Sequence, residues 1–176
     1  MPRAGVLFPG QLSKPVNVHF DTEAMTSDGG VVLVGALDRG LGLTNVVLSK
    51  LTDTRDPPRI VHSQLDMLRQ RIYGLVLGYE DCNDSARIKH DPAVKLALGR
   101  GLDEPALAST ATLCRFENAV SPKDLVNAAR ELMRWRLGTL AKRFKKARVV
   151  TIDVDSTPDP THGQQEFTFF DGHYDT

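Results

Sequence analysis

Apolar positions in this chain recur mostly at helical spacing. Over residues 60–78, Val61, Leu65, Leu68, Ile72, Leu75 and Val76 form one stripe, which predicts an amphipathic helix with Arg69 and Arg71 off it. Ser27-Asp28-Gly29-Gly30 reads as a turn into a helix over 31–39, closed by Gly40. A shorter helix is expected over 43–51, before Arg55-Asp56-Pro57-Pro58 breaks the ladder. Short helices are predicted at 85–89 and at 92–98, with Pro92 at a first helical position after Asp91. Ser109 and Thr110 can cap a helix over 111–119. A long last helix runs from Ser121-Pro122 to about 147, with Leu125, Ala128, Leu132, Trp135 and Phe144 supplying apolar surface. Period-two alternation is rare: residues 16–20 read as a short half-buried strand, and 149–157 as a buried one.

That second strand carries chemistry. Asp153 and Asp155 are two apart, so an ideal strand points both to one face. Two carboxylates on one face repel unless a cation or water separates them, which suggests a divalent metal beside a phosphate. The plain alternative is a strand end with solvated acids opening a turn at Ser156-Thr157. A third alternative is Asp153-Val154-Asp155-Ser156-Thr157 as the D-x-D-x-T motif of an aspartyl-phosphate phosphatase, with Asp153 as nucleophile and Asp155 as acid/base. Such an enzyme needs a doubly wound sheet after this strand. Only 19 residues follow Thr157, and Phe167-Thr168-Phe169 with the Asp171-Gly172 turn reads as an antiparallel meander instead. His162 and His173 invite a zinc reading, but the segment has no cysteine, and histidines in polar turns are usually solvated.

Charge changes the picture. The chain is neutral overall, yet all six acids of residues 149–176 stand there without a Lys or Arg. Residues 1–148 therefore hold 22 basic against 16 acidic side chains, a net +6. A basic body joined to an acidic segment fits anion binding by one and cation binding by the other. Lys142, Arg143, Lys145, Lys146 and Arg148 crowd the end of the last helix, with Arg130, Arg134 and Arg136 upstream. Such charge binds nucleic-acid backbones by counterion release, or simply complements a helix dipole. Residues 85–119 suggest a helix-turn-helix with a break at Gly99-Arg100-Gly101. Thr112, Arg115 and Asn118 fall on one side of its second helix, and Arg and Asn suit base edges. The bland reading is an ordinary packed helix with a polar side.

Composition adds little. At 41% hydrophobic and 25% charged residues, the chain can build a core. Cys82 and Cys114 have no metal-ligand spacing and fit a reducing compartment. No apolar run reaches membrane-spanning length, and the first residues are too short for a signal sequence. A cytoplasmic protein, without membrane association, is the expectation.

The segment from Asp153 through Thr161-His162-Gly163-Gln164-Gln165-Glu166, followed by Phe169-Phe170-Asp171-Gly172-His173-Tyr174-Asp175, resembles bacterial insertion-sequence transposases of the DDE type. Similar stretches lie upstream, at Thr26-Ser27-Asp28-Gly29-Gly30, Leu77-Gly78-Tyr79-Glu80-Asp81-Cys82-Asn83-Asp84, residues 91–99 and Arg115-Phe116-Glu117-Asn118. The resemblance implies a helical DNA-binding region over 1–147, then the first strands of a ribonuclease-H-like α/β catalytic domain from 148 to 176. It implies Mg²⁺ or Mn²⁺, DNA at the ends of an insertion element as partner, and a homodimer or synaptic oligomer as the working assembly. Asp155 matches the first of the three metal-binding acids, with Asp153 as second choice. The other two lie farther along such enzymes, so the expectation is a truncated, catalytically incomplete copy. A module that occupies element ends without catalysis is the alternative.

Overall fold

The computed structural model describes residues 6–7, 16–17, 25–144, 149, 151, 153, 169, 170 and 172. The chain divides into two compact units, Met1–Leu140 and Ala141–Thr176. In the first unit, β1 (Val6–Leu7) pairs antiparallel with β2 (Val16–Asn17), Val6 opposite Asn17 and Leu7 opposite Val16. Helices follow: α1 (Val31–Leu41), α2 (Leu43–Leu48), α3 (Gln64–Val76), α4 (Ser85–Ile88), α5 (Pro92–Leu98), α6 (Thr110–Asn118) and α7 (Pro122–Arg143). Two 3-10 turns, Pro57–Arg59 and Cys82–Asp84, punctuate them.

Local chemistry explains most boundaries. Asp91 accepts hydrogen bonds from the Ala93 and Val94 amides, and Pro92 needs no partner for its nitrogen, so α5 starts where the sequence predicts. Ser63 caps α3 by accepting from the Asp66 amide at 3.0 Å, after the prolines. The helix is thus shorter than its apolar stripe suggests, and Val61 lies outside it, exposed. α1 runs through Gly40 and stops at Gly42, whose φ of 68° lets the chain turn straight into α2.

The core lies where α1, α3 and α5 meet. Val31, Val32, Tyr73, Ile88, Val94, Ala97 and Leu98 are buried together. α1 and α5 approach so closely that a Cβ on Gly35 would stand 2.5 Å from the Ala97 carbonyl oxygen. Arg39 Nη1 donates to that same carbonyl at 2.8 Å.

A carboxylate sits inside this junction. Asp38 is 6% exposed and accepts from the Thr44 amide (2.9 Å), the Thr44 hydroxyl (2.6 Å), the Tyr73 hydroxyl (2.8 Å) and Arg69 Nε (3.1 Å). Burial opposes its charge, but the bonds from Thr44 and Tyr73 and the Arg69 guanidinium outweigh it, so the carboxyl titrates below its ordinary value. The Tyr73 hydroxyl is pushed upward by burial and by the same carboxylate. Arg69, off the apolar stripe, is thus turned inward.

The ribonuclease-H-like architecture expected from the sequence is not found among the described residues. The described residues are helical apart from the two-residue pairing of β1 and β2. At the expected catalytic strands, Val149, Thr151, Asp153, Phe169 and Phe170 lie outside any strand and are exposed, Val149 at 80%. Alternating apolar residues make a strand only when a neighbour completes the hydrogen-bond ladder, and among the described residues none pairs with these. Among the described residues no helix is long and apolar enough to cross a membrane.

Two outcomes test this packing. Gly35→Ala gains about 1 kcal/mol in helix propensity, but the clash with backbone costs about 3 kcal/mol. Urea unfolding should therefore show a net loss of stability, larger in Gly35→Val. Asp38→Ala should cost about 3 kcal/mol, because Arg69 is left with a buried, unopposed charge. Since the folded-state value is depressed, the contribution of Asp38 is complete above the unfolded carboxyl value of about 3.9. It is lost as pH falls through the folded value, so acid unfolding followed by circular dichroism should be blunted in Asp38→Ala.

Candidate nucleic-acid interface

α6 begins at Ser109, whose hydroxyl accepts from the Thr112 amide at 3.4 Å and meets the Thr112 hydroxyl at 3.0 Å. Leu113, 1% exposed, plugs the helix into a small second core with Met67, Cys82 and Ala108. The opposite side looks outward. Thr112 is half-buried, while Arg115 and Asn118 are exposed. Arg115 Nη2 donates to the Thr112 hydroxyl at 3.3 Å, and Asn118 Nδ2 donates to the Cys114 carbonyl at 2.8 Å. Both side chains are held by their own helix yet remain exposed, with N–H donors to spare. Asn118 also keeps its acceptor oxygen, the pair of functions that reads an adenine edge.

Thr112 and Arg115 line a cavity of about 460 Å³, with Asp53, Arg55, Met67 and Phe116 among its walls. Arg55 grips Asp53 through Nε (2.8 Å) and Nη2 (2.7 Å) and donates Nη1 to the His62 carbonyl at 2.9 Å. The bond from Arg55 holds the Asp53 carboxyl below its ordinary range. This pair neutralises itself, so Arg115 supplies the positive charge of the rim.

The expected helix-turn-helix is not built from α5 and α6. Residues 99–109 separate them, where that motif needs a turn of a few residues. Lys95 holds this loop by donating Nζ to the Leu102 and Glu104 carbonyls, at 3.1 and 2.6 Å. α6 instead packs on α3 and on the Cys82–Asp84 turn.

The other candidates are scattered. On α7, Arg130, Arg134 and Arg136 are exposed. Arg130 and Arg134, four apart, share a side, while Arg136 stands on another. Arg134 remains 73% exposed although Nη1 reaches Glu131 at 3.3 Å. The packed side of α7 is set by Lys50 with Glu131 at 3.3 Å and by Trp135 Nε1 donating to the Leu41 carbonyl at 3.3 Å. Lys142 is exposed, and Arg143 is the last residue of α7. Lys145, Lys146, Arg148 and Asp155 lie outside the described residues. Asp153 is exposed. Among the described residues no group of three or more His, Cys, Asp or Glu side chains could hold a metal ion. Of the two acids expected to hold Mg²⁺ or Mn²⁺, only Asp153 lies among the described residues.

Sequence pattern missed the residues beneath α6. Gln70 Nε2 donates to the Ala108 carbonyl at 2.9 Å, while the Ala108 amide donates to Gln70 Oε1 at 2.9 Å. Glu117 accepts from Arg71 and, at 3.1 Å, from the Cys82 thiol. Burial, Glu117 and Cys114 together push that thiol up to about 12. These partners are 35 to 46 residues apart, beyond any local pattern.

A family model described as transposase DDE domain group 1 matches residues 8–176. No curated protein and no solved structure matches the chain.

The packing around Cys82 has a direct readout. The thiolate is the reactive form, so iodoacetamide at neutral pH should leave Cys82 unmodified in the folded protein and alkylate it in urea. Peptide mass spectrometry distinguishes the two. Labelling of folded protein at Cys82 would show that its thiol is not held as described.

Proposed function

The chain belongs to the transposase DDE domain group 1 family, and from that premise we propose that its helical unit, Met1–Leu140, binds the DNA of an insertion element. The observation that carries this reading is α6. It presents Arg115 and Asn118 outward on a helix whose inner side is locked into the second core. Arg and Asn on one rigid helix side are the residue types that read guanine and adenine edges in a major groove. The net +6 of residues 1–148, most of it from the basic side chains at 142–148, would supply the salt-dependent attraction that brings the chain to a duplex. Arg130, Arg134 and Arg136 on α7, with Lys142, Arg143, Lys145, Lys146 and Arg148 beyond, are proposed as phosphate contacts, which position the protein without reading sequence.

Transposases of this family generally use a divalent metal. Asp155, and then Asp153, are the acids proposed to hold it. When bound, the metal would stabilise charge on the attacking and leaving oxygens of a phosphodiester. What these two residues contribute is a local pair of carboxylates two apart in sequence. Family membership supports this reading over the D-x-D-x-T phosphatase one for the same residues.

Fluorescence anisotropy with duplex DNA tests the proposal. A duplex enriched from a random pool by the wild-type chain serves as the specific probe, and the unselected pool as the reference. Arg115→Ala should weaken specific binding by about 1–3 kcal/mol and relax the preference at one base position. Arg136→Ala should weaken both probes alike and lower the salt slope by about one. Failure of the wild-type chain to enrich any duplex, or unchanged binding in Arg115→Ala, would defeat the reading.

A further inference from the structure

α3 meets α6 through two consecutive side chains with different tasks. Gln70, 1% exposed, clamps the backbone of Ala108 with two opposed hydrogen bonds, just ahead of the Ser109 cap. That fixes where α6 begins. Arg71 reaches the far end of the helix. Its Nε donates to Glu117, Nη1 to the Tyr79 carbonyl at 3.2 Å and Nη2 to the Glu80 carbonyl at 2.6 Å. The other carboxylate oxygen of Glu117 accepts from the Cys82 thiol at 3.1 Å. Glu117 is thus held from α3 and from the Cys82–Asp84 turn at once. It lies between Arg115 and Asn118 in sequence.

We propose that Arg71 is a positioning residue for DNA recognition: through Glu117 it fixes the direction of α6, so that Thr112, Arg115 and Asn118 meet one duplex in a single register. This rests on the reading of α6 as the DNA-contacting helix. The geometry separates Arg71 from a phosphate contact. All three of its nitrogens donate to protein acceptors, and its side chain is 18% exposed, so the charge is spent inside the fold. Without Arg71, α6 keeps the Gln70 clamp, the Ser85–Thr110 hydroxyl contact and the Leu113 anchor, all toward its start and middle. Its far end loses its charged tie, so Asn118 is displaced most. Base-edge bonds depend steeply on geometry, whereas phosphate attraction does not. Loss of Arg71 should therefore cost discrimination between sequences rather than attraction to DNA.

The test uses the full chain, the selected duplex, the unselected pool and amide hydrogen exchange. Arg71→Ala and Glu117→Ala should each speed exchange across residues 110–118 by roughly tenfold, the scale of a lost hydrogen bond to a charged group. Each should lower the ratio of selected to unselected affinity by a similar factor and leave the salt slope unchanged. The double variant should lose less than the sum of the two single ones, because both remove the Arg71–Glu117 link. Glu117→Gln, which keeps an acceptor for Arg71, should recover most of the ratio. Unchanged exchange in 110–118, or a salt slope lowered by about one as for a phosphate contact, overturns the proposal. If Arg71→Ala does not fold, Glu117→Ala carries the same comparison from the α6 side. If Arg115→Ala leaves both affinities unchanged while Arg71→Ala loosens 110–118, the DNA reading of α6 fails and the hold of Arg71 on the helix stands.

Discussion

The buried carboxylate of Asp38 is the constraint around which the helical unit is arranged. A charge in an apolar junction is tolerable only when both oxygens accept hydrogen bonds and a counter-charge stands close. Asp38 meets that demand with four donors drawn from α2 and α3. Satisfying it fixes the rotation of α3 about its own axis. Tyr73 must face α1, and Arg69 must turn in beside it.

Once α3 is fixed in rotation, its remaining side chains acquire roles that its composition conceals. Gln70 and Arg71 follow Arg69 directly, so a helix locked by Arg69 and Tyr73 delivers them toward α6. The polar residues of α3 are therefore structural on one end of the unit and organise the outward-looking helix on the other. α6 has a small apolar anchor of its own in Leu113, and the polar links to Gln70 and Arg71 set its orientation. Non-directional burial holds a helix down, and directional hydrogen bonds choose how it points.

Much of the helical order was legible because it is written locally. Asp91-Pro92 starts α5 and Ser109 starts α6 by hydrogen bonds spanning a few residues, which any reader of the sequence can anticipate. The stripe on α3 misled because a long apolar period marks surface that can be buried without saying which part is. Val61, Leu75 and Val76 are exposed, while Gln70 is buried. The helix-turn-helix failed for a similar reason. Two short helices near one another in sequence need not be neighbours in space, and α6 took α3 as its support. The strand expected through Val149, Thr151 and Asp153 depended on partners that alternation alone cannot supply.

The sequence by itself determined the helix starts, the charge asymmetry and, through its ordered segments, the transposase family. Each is a property of residues close together along the chain, or of their sum. Only the tertiary structure decided that Arg69 and Arg71 are internal ties rather than surface charge, and that Gln70 belongs to the core. It also decided that Glu117 is the handle by which α6 is held, while Arg115 and Asn118 beside it face outward. An arginine looks the same in sequence whether it meets water, phosphate or a buried carboxylate. For Arg69 and Arg71 the outcome depends on carboxylates 31 and 46 residues away, which are brought to them only when the core closes.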